Sequence, residues 1–302
     1  DIQYMDGLGR VIQVVQRRAS ANSKDLVQSQ YYDENGRSHA QYLPYVSSTT
    51  TGVFQSNPFN SQYTYHRTKT EVSHPDLDYF YGYQELENSP RARALSSAQP
   101  GISFVGSGKK VNVEYLFNTS GHGIRIWKID YLETAYPTTS ATYANNELTI
   151  QKTTDEDGNI SLSYLDIEGK LILERRQAGS GTNLATASDW LSTYYVYDER
   201  GRLRAVIPPL AEQYLRANSW NMGSITHRNV VAKYRYLYVY DEKDRLIAKK
   251  LPAIADGVTT SGIHYVYDAK NQLVMQQDDK QRANFSWTVY QYDNVGRIIK
   301  VG

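Results

Sequence analysis

The sequence predicts an all-β protein made of consecutive antiparallel hairpins, with one short helix near residues 209–218. Three observations carry that reading. The chain holds 27 Tyr against 6 Phe and 4 Trp. Tyr favours strands and joins a large apolar ring to a polar tip, so sheets are expected whose aromatic rows still reach water or polar partners. A short pattern also recurs along the 302 residues: a strand ending in Asp, two variable residues, a Gly, Asp or Asn, then a second strand. The segments on both sides of this pattern alternate with the period of a pleated strand.

The clearest copies are YYVYDERGRLRAVI (194–207), YLYVYDEKDRLIAK (236–249), HYVYDAKNQLVMQQ (264–277) and VYQYDNVGRIIKV (289–301). Weaker copies are YMDGLGRVIQVV (4–15), YYDENGRSHAQY (31–42), TTDEDGNISLSY (153–164) and YLDIEGKLILER (164–175). The aligned aspartates are Asp6, Asp33, Asp155, Asp166, Asp198, Asp241, Asp268 and Asp293. In the good copies Tyr stands one and three places before Asp, as in Tyr195 and Tyr197. That spacing puts both rings on one face of a strand and Val196 on the other. Asp at the first turn position can accept hydrogen bonds from amides further round the turn.

Three places after Asp come Gly9, Gly36, Gly158, Gly169, Gly201 and Gly296, or else Asp244 and Asn271. These residue types tolerate a left-handed backbone best. A type I turn followed by one left-handed residue is the usual three-residue hairpin loop with a bulge. The return strand opens with a long polar residue (Arg202, Arg245, Gln272, Arg297) and then turns aliphatic. The sixteen turn positions are the structural site residues read from the sequence.

Along the chain, residues 1–45 hold two repeats. Residues 46–110 are rich in Ser, Thr, Gly and Pro and are expected to be loops across the sheet, with short strands at Tyr63–Thr70 and Ile102–Val105. VNVEYLF (111–117) and GIRIWKIDYL (123–132) alternate well and should be strands. AGSGTN (178–183) and PAIADGVTTSG (252–262) look like connecting loops. The expected helix, Pro209–Asn218, has a Pro near its start and good helix formers after it. Two regions are expected: 1–150, a repeat-associated region with irregular loops, and 151–302, regular hairpins, together in one continuous sheet.

The chemistry read from the residues is sparse. A net charge of +1 supplies no basic field for a nucleic-acid backbone, and the absence of Cys removes disulfides and thiolate sites. No apolar run is long enough to span a membrane as a helix. DEDG (155–158) resembles part of a calcium loop, but Tyr164 stands where the closing Glu is needed. The repeated carboxylates each occupy the same turn slot, which suits structure rather than acid–base chemistry. The six histidines show no metal-ligand spacing, no Ser sits in a nucleophile elbow, and GSGKK (106–110) lacks full phosphate-loop spacing. No cofactor, no metal and no enzymatic activity are expected.

The repeats YVYDERGRL and YQYDNVGRI resemble those of the Rhs/YD-repeat family. The similarity is nearest to Rhs-like proteins of the Bacteroidetes type, carried by YMDGLGRVIQVVQRRAS (4–20), YLPYVSSTT (42–50), GIRIWKID (123–130), TTDEDGN (153–159) and VIPPLAEQYL (206–215). The resemblance implies a β-sheet spiralling into a hollow shell. In Tc-toxin cocoon proteins, polymorphic Rhs toxins and teneurins such a shell encloses a toxin domain or serves as a surface scaffold. Many members end the shell in a self-cleaving motif built on Asp-Pro and Gly-Leu. Here no Asp-Pro occurs and Gly7-Leu8 lies in the first turn, so no catalytic residue carries over.

The expected role is that of an encapsulating shell segment of a secreted or surface protein, its export signal lying elsewhere. Its partners would be further repeats of a longer chain, with an enclosed C-terminal toxin domain or a secretion or surface partner. Open strand edges at both ends point the same way. The alternative is an adhesin or carbohydrate-binding module using Tyr-rich faces. Gly201→Val should destabilise its hairpin, because a β-branched residue fits a left-handed turn poorly. Asn271→Gly should be neutral or mildly stabilising. Thermal melting checks both, and an unchanged midpoint for Gly201→Val would refute the turn assignment.

Overall fold

A computed structural model describes residues 1–69, 78–130, 136–252 and 262–302. In chain order the elements begin with β1 (Ile2–Met5), β2 (Val11–Gln16), β3 (Leu26–Ser29), β4 (Ala40–Tyr42), β5 (Tyr45–Val46), α1 (Pro58–Lys69), β6 (Tyr81–Leu86), β7 (Ala94–Ala98) and β8 (Val111–Phe117). Then come β9 (Arg125–Lys128), β10 (Thr138–Thr142), β11 (Thr149–Thr154), β12 (Ile160–Leu165), β13 (Leu171–Gln177), β14 (Trp190–Tyr197) and β15 (Leu203–Ile207). Helices α2 (Pro209–Ala217) and α3 (Ile225–Ala232) lead to β16 (Tyr236–Tyr240), β17 (Leu246–Lys250), β18 (Ile263–Tyr267) and β19 (Leu273–Gln277). The chain closes with α4 (Asp279–Ala283), β20 (Thr288–Tyr292) and β21 (Ile298–Val301). Among the described residues no helix is long and apolar enough to cross a membrane.

The chain divides into two units. Unit 1 is 1–114 with 152–160; unit 2 is 115–151 with 161–302. In unit 1, β1, β2, β3 and β5 form one antiparallel sheet, and β4, β6, β7 and β8 pair in that order. Its core is Val15, Val27 and Tyr45, with Tyr4 and Tyr65 packed against it. In unit 2 the strands from β12 to β21 each pair antiparallel with the next, the meander expected of chained hairpins.

The face of unit 2 carrying Tyr194, Val196, Ala205, Ile207, Leu237, Val239 and Ala248 is buried. Helix α2 packs on β14 and α3 packs on α2. Trp127 of β9, Tyr194 of β14 and Trp220 meet edge to face, with centroids 5.8–6.2 Å apart. Each such ring contributes the burial of a large apolar surface plus roughly 1 kcal/mol of quadrupole geometry.

Several expectations need correction. Residues 63–69 are helical, inside α1, and Thr70 lies outside the described residues. Pro58 at the first turn and the spacing of Phe59, Gln62 and His66 explain the helix: Phe59 meets Tyr42, Gln62 Nε2 donates to the Phe80 carbonyl at 2.8 Å, and His66 stacks on Phe80. Ile102–Gly106 is one π-helical turn rather than a strand. A Cβ at Gly106 would stand 2.8 Å from the Ile102 and Tyr79 side chains, which would have to move aside for it. Residues 81–98 are not loop but the β6–β7 hairpin. Helix α2 is where expected, but α1, α3 and α4 join it, so one helix is too few. Within PAIADGVTTSG, residues 253–261 lie outside the described residues, as do 131 and 132 at the end of GIRIWKIDYL.

Asp25 is fully buried between β2 and β5. Burial alone would raise its pKa, but N–H donors from Arg18 and Gly52 and the Thr49 hydroxyl, at 2.8–2.9 Å, hold it below the usual carboxylate value. Asp25→Ala strands those donors in the interior and should lower unit 1 stability by about 3 kcal/mol. Denaturant unfolding with a unit 1 probe measures this.

Candidate functional site: an interlocked row of turns

The sequence points to the turns, and the turns hold most of the organised polar chemistry. At Asp198 the backbone N–H donates to the Arg202 carbonyl at 3.0 Å and the Gly201 N–H donates to the Asp198 carbonyl at 2.8 Å. The Asp198 carboxylate accepts from the N–H groups of Arg200 and Arg202 at 3.1 and 3.0 Å, and from Arg202 Nε at 2.8 Å. Gly201 has φ +75°. The loop is thus a type I turn with a left-handed residue, closed from inside by one side chain.

The same closure recurs at every aligned aspartate. Asp6, Asp33, Asp155, Asp166, Asp241, Asp268 and Asp293 each accept from the N–H groups two and four residues on, at 2.8–3.0 Å. Gly9, Gly36, Gly158, Gly169 and Gly296 have φ between +74° and +88°. Asp244 and Asn271 take the same conformation at φ +60° and +64°.

The arginine four places after Asp forms an ion pair with it at Asp6, Asp33, Asp198, Asp241 and Asp293. These bonds keep the carboxylates ionised. The Arg37 N–H, with His39 and the Arg37 guanidinium, takes Asp33 down to about 2 against the pull of burial. Asp6 and Asp293 are lowered first by the N–H groups of Arg10 and Arg297, and Asp155 by the Asn159 amide. At Asp198 and Asp241 burial pushes upward, and the bonds from Arg202 and Arg245 outweigh it.

Two further features shape these hairpins, the first expected from the loop type and the second not visible in the sequence. First, each hairpin carries a β-bulge in its return strand: Val196 faces Ala205 while Tyr197 faces Leu203, and β16–β17, β18–β19 and β20–β21 repeat the shift. Second, the Tyr just before Asp reaches back to the preceding hairpin. Its hydroxyl donates to the carbonyl five places after the previous Asp: Tyr32 to Val11, Tyr197 to Leu171, Tyr240 to Leu203, Tyr267 to Leu246 and Tyr292 to Leu273, at 2.7–3.1 Å. The bulge disrupts the ladder beside that carbonyl, and the phenol supplies a partner.

The guanidinium covers the same ring. Arg10 lies 4.7 Å over Tyr32, Arg202 5.2 Å over Tyr240 and Arg245 5.0 Å over Tyr267. Arg202 goes on to the Asp241 carbonyl and the Asp244 carboxylate, and Arg245 to the Asp268 carbonyl and the Asn271 amide oxygen. The two non-glycine left-handed residues are therefore acceptors for the arginine of the previous turn. A further hairpin loop missed in the sequence lies at Glu87–Arg93, where Arg93 and Ser89 bring Glu87 to about 2 and Ala92 is left-handed.

Cavities touch this row. One of about 860 Å³ is lined by Lys128, Asp130, Tyr136, Asp198, Arg202 and Asp241 among others. Its Asp198 and Asp241 are already occupied in loop closure. Among the described residues no group of three His, Cys, Asp or Glu could hold a metal ion.

A family model described as a domain of unknown function (DUF6443) matches residues 1–117. No curated protein matches the chain. Solved structures do. TcdB2-TccC3-TEV aligns with a TM-score of 0.54 at 14% identity, covering 99% of this chain and 12% of that one. TcdB2-TccC3-Cdc42 gives 0.54 at 13% with the same coverage. The Tc holotoxin pore of Photorhabdus luminescens, with a TccC3 mutation, gives 0.52 at 14%, again over 99% and 12%. The chain thus spans about an eighth of the length of the structures it matches, and at these identities the likeness is one of fold.

Tyr240→Phe should cost about 1 kcal/mol by orphaning the Leu203 carbonyl. Tyr238→Phe, on the same strand face without such a bond, should stay within about 0.5 kcal/mol; equal costs would refute the interlock. The Asp33 closure is lowered to about 2 in the folded chain. Its contribution is therefore complete above the ordinary carboxylate pKa near 4 and lost as pH falls toward 2. Acid unfolding followed by circular dichroism should be less steep for Asp33→Asn in that window.

Proposed function

We propose that the chain is a stretch of wall in an encapsulating shell of the Rhs/YD-repeat type, without catalysis of its own. The observation that carries this is the interlock. The organised polar side chains bind one turn to the next, through Tyr240 to Leu203 and Arg202 to Asp244, instead of converging on a reacting centre. A polypeptide whose elements contact mainly their sequence neighbours extends by repetition, as solenoid-like arrays do.

The fold likeness to a 12% stretch of TcdB2-TccC3 chains supports the same reading, and the holotoxin among them points to a toxin-type, secreted or surface setting. The partners on this reading are further Tyr-Asp hairpins of the same polypeptide and an enclosed C-terminal domain or a surface partner. The turn residues, from Asp6 and Gly9 to Asp293 and Gly296, serve as structural closures. Low-resolution electron microscopy of the full-length polypeptide tests it. A hollow closed density is expected, and a solid or open particle would overturn the proposal.

A further inference from the structure

We propose that a recess in unit 1 is a binding site for a neutral sugar ring. It encloses about 230 Å³ where β3, β4, β6 and β7 meet. Pockets for drug-sized ligands run from roughly 300 Å³ upward, so this one suits a single ring. Its lining side chains with hydrogen-bonding groups include Gln28, Gln41, Gln84, Gln99 and Ser97, beside Tyr42 and Tyr83. None of its twelve lining residues is Asp, Glu, Lys, Arg or His, in a chain that is 22% charged. The recess therefore has no charge with which to select an ion.

The register explains the recess. Gln41 faces Gly82 across β4–β6, and Tyr83 faces Ala98 across β6–β7, so Gln99 follows opposite Gly82. The missing side chain at Gly82 leaves a dent between two glutamines. A Cβ there would stand 3.1 Å from the Ala98 carbonyl oxygen and 3.6 Å from Pro100. The adjacent row pairs Gln84 with Ser97. Gln84 Nε2 donates to the Ser38 carbonyl at 2.6 Å, which fixes the amide and leaves its oxygen as an acceptor. Pro44 and Pro100 supply apolar wall.

A primary amide offers two donors and an acceptor in one plane, matching neighbouring hydroxyls on a pyranose, and the proline rings suit its C–H face. An added peptide strand fits less well. It needs an open edge; β6 is paired on both sides, with β4 and with β7, and β4, the last strand of its sheet, is already bridged to Gln30 at Gln41. This proposal does not depend on the shell reading.

The test uses the whole chain on an array of neutral and acidic glycans, with saturation-transfer NMR against free hexoses and N-acetylhexosamines. Binding of neutral terminal sugars is expected. The double variant Q41L/Q99L, close in volume to the original, should weaken it at least about tenfold, which is roughly 1.4 kcal/mol, with an unchanged melting temperature. No binding at about 10 mM sugar would overturn the proposal. So would preference for acidic glycans, or binding that survives in the variant. A variant that unfolds is replaced by Gln99→Leu alone, judged by the same readouts.

Discussion

A single carboxylate closing each loop is the constraint on which the remaining turn chemistry rests. Asp198 takes two loop N–H groups and the Arg202 guanidinium, with Arg204 3.7 Å away, and by doing so fixes where Arg202 can lie. Held there, Arg202 is available to the next hairpin, over the ring of Tyr240 and against Asp241 and Asp244. The Tyr240 hydroxyl then returns to the Leu203 carbonyl beside the bulge. Each step satisfies a polar group that the previous geometry left open, so the hairpins are coupled by necessity as well as by their ladders. Exposed ion pairs alone would contribute little. Arg202 and Asp198, however, have side chains only 12% and 3% exposed, and they act within a network.

The variations along the row follow from the same logic. Where Lys170 or Gln272 replaces arginine, loop closure by the Asp survives but the guanidinium contact to the next ring is absent among the described residues. Where Asp244 and Asn271 replace glycine, the left-handed backbone is less comfortable, and an arginine from the previous turn supplies a compensating hydrogen bond. Asn271→Gly therefore exchanges one small effect for another rather than simply relieving strain. Asn159 closes the Asp155 loop with an amide in place of a guanidinium.

The hairpins were legible in the sequence because each is local: Asp, the left-handed residue and the return strand lie within a few positions, and their chemistry is specific. The interlock was not, because its partners are separated by 19 residues for Tyr292 and Leu273 but 37 for Tyr240 and Leu203. Inserted helices α2 and α3 account for the longer spacing and hide the repeat of contacts. Helix α1 reads as a strand in sequence because Tyr63, Tyr65 and the polar residues between them alternate with period two. The competing signal is Pro58, with Phe59, Gln62 and His66 on one helical face. Signals for α3 and α4 are present in Ser224 and in the Asp278–Gln281 capping box. Neither Gln41 nor Gln99 stands out in the sequence. Only register places them on either side of Gly82.

The distribution of burial separates the two faces of the sheet. On β16, Leu237 and Val239 are buried while Tyr236, Tyr238 and Tyr240 on the opposite face are half-buried. Phe in the Tyr240 position would bury as well but could not reach the Leu203 carbonyl, and a shorter Ser could reach neither the carbonyl nor the guanidinium. Tyrosine alone combines the ring and the reach, and Tyr32, Tyr197, Tyr240, Tyr267 and Tyr292 use both. Part of the tyrosine excess that first marks the chain as a β protein thus serves to join one hairpin to the next. A sheet joined this way draws cohesion from each junction in turn, in addition to its buried face.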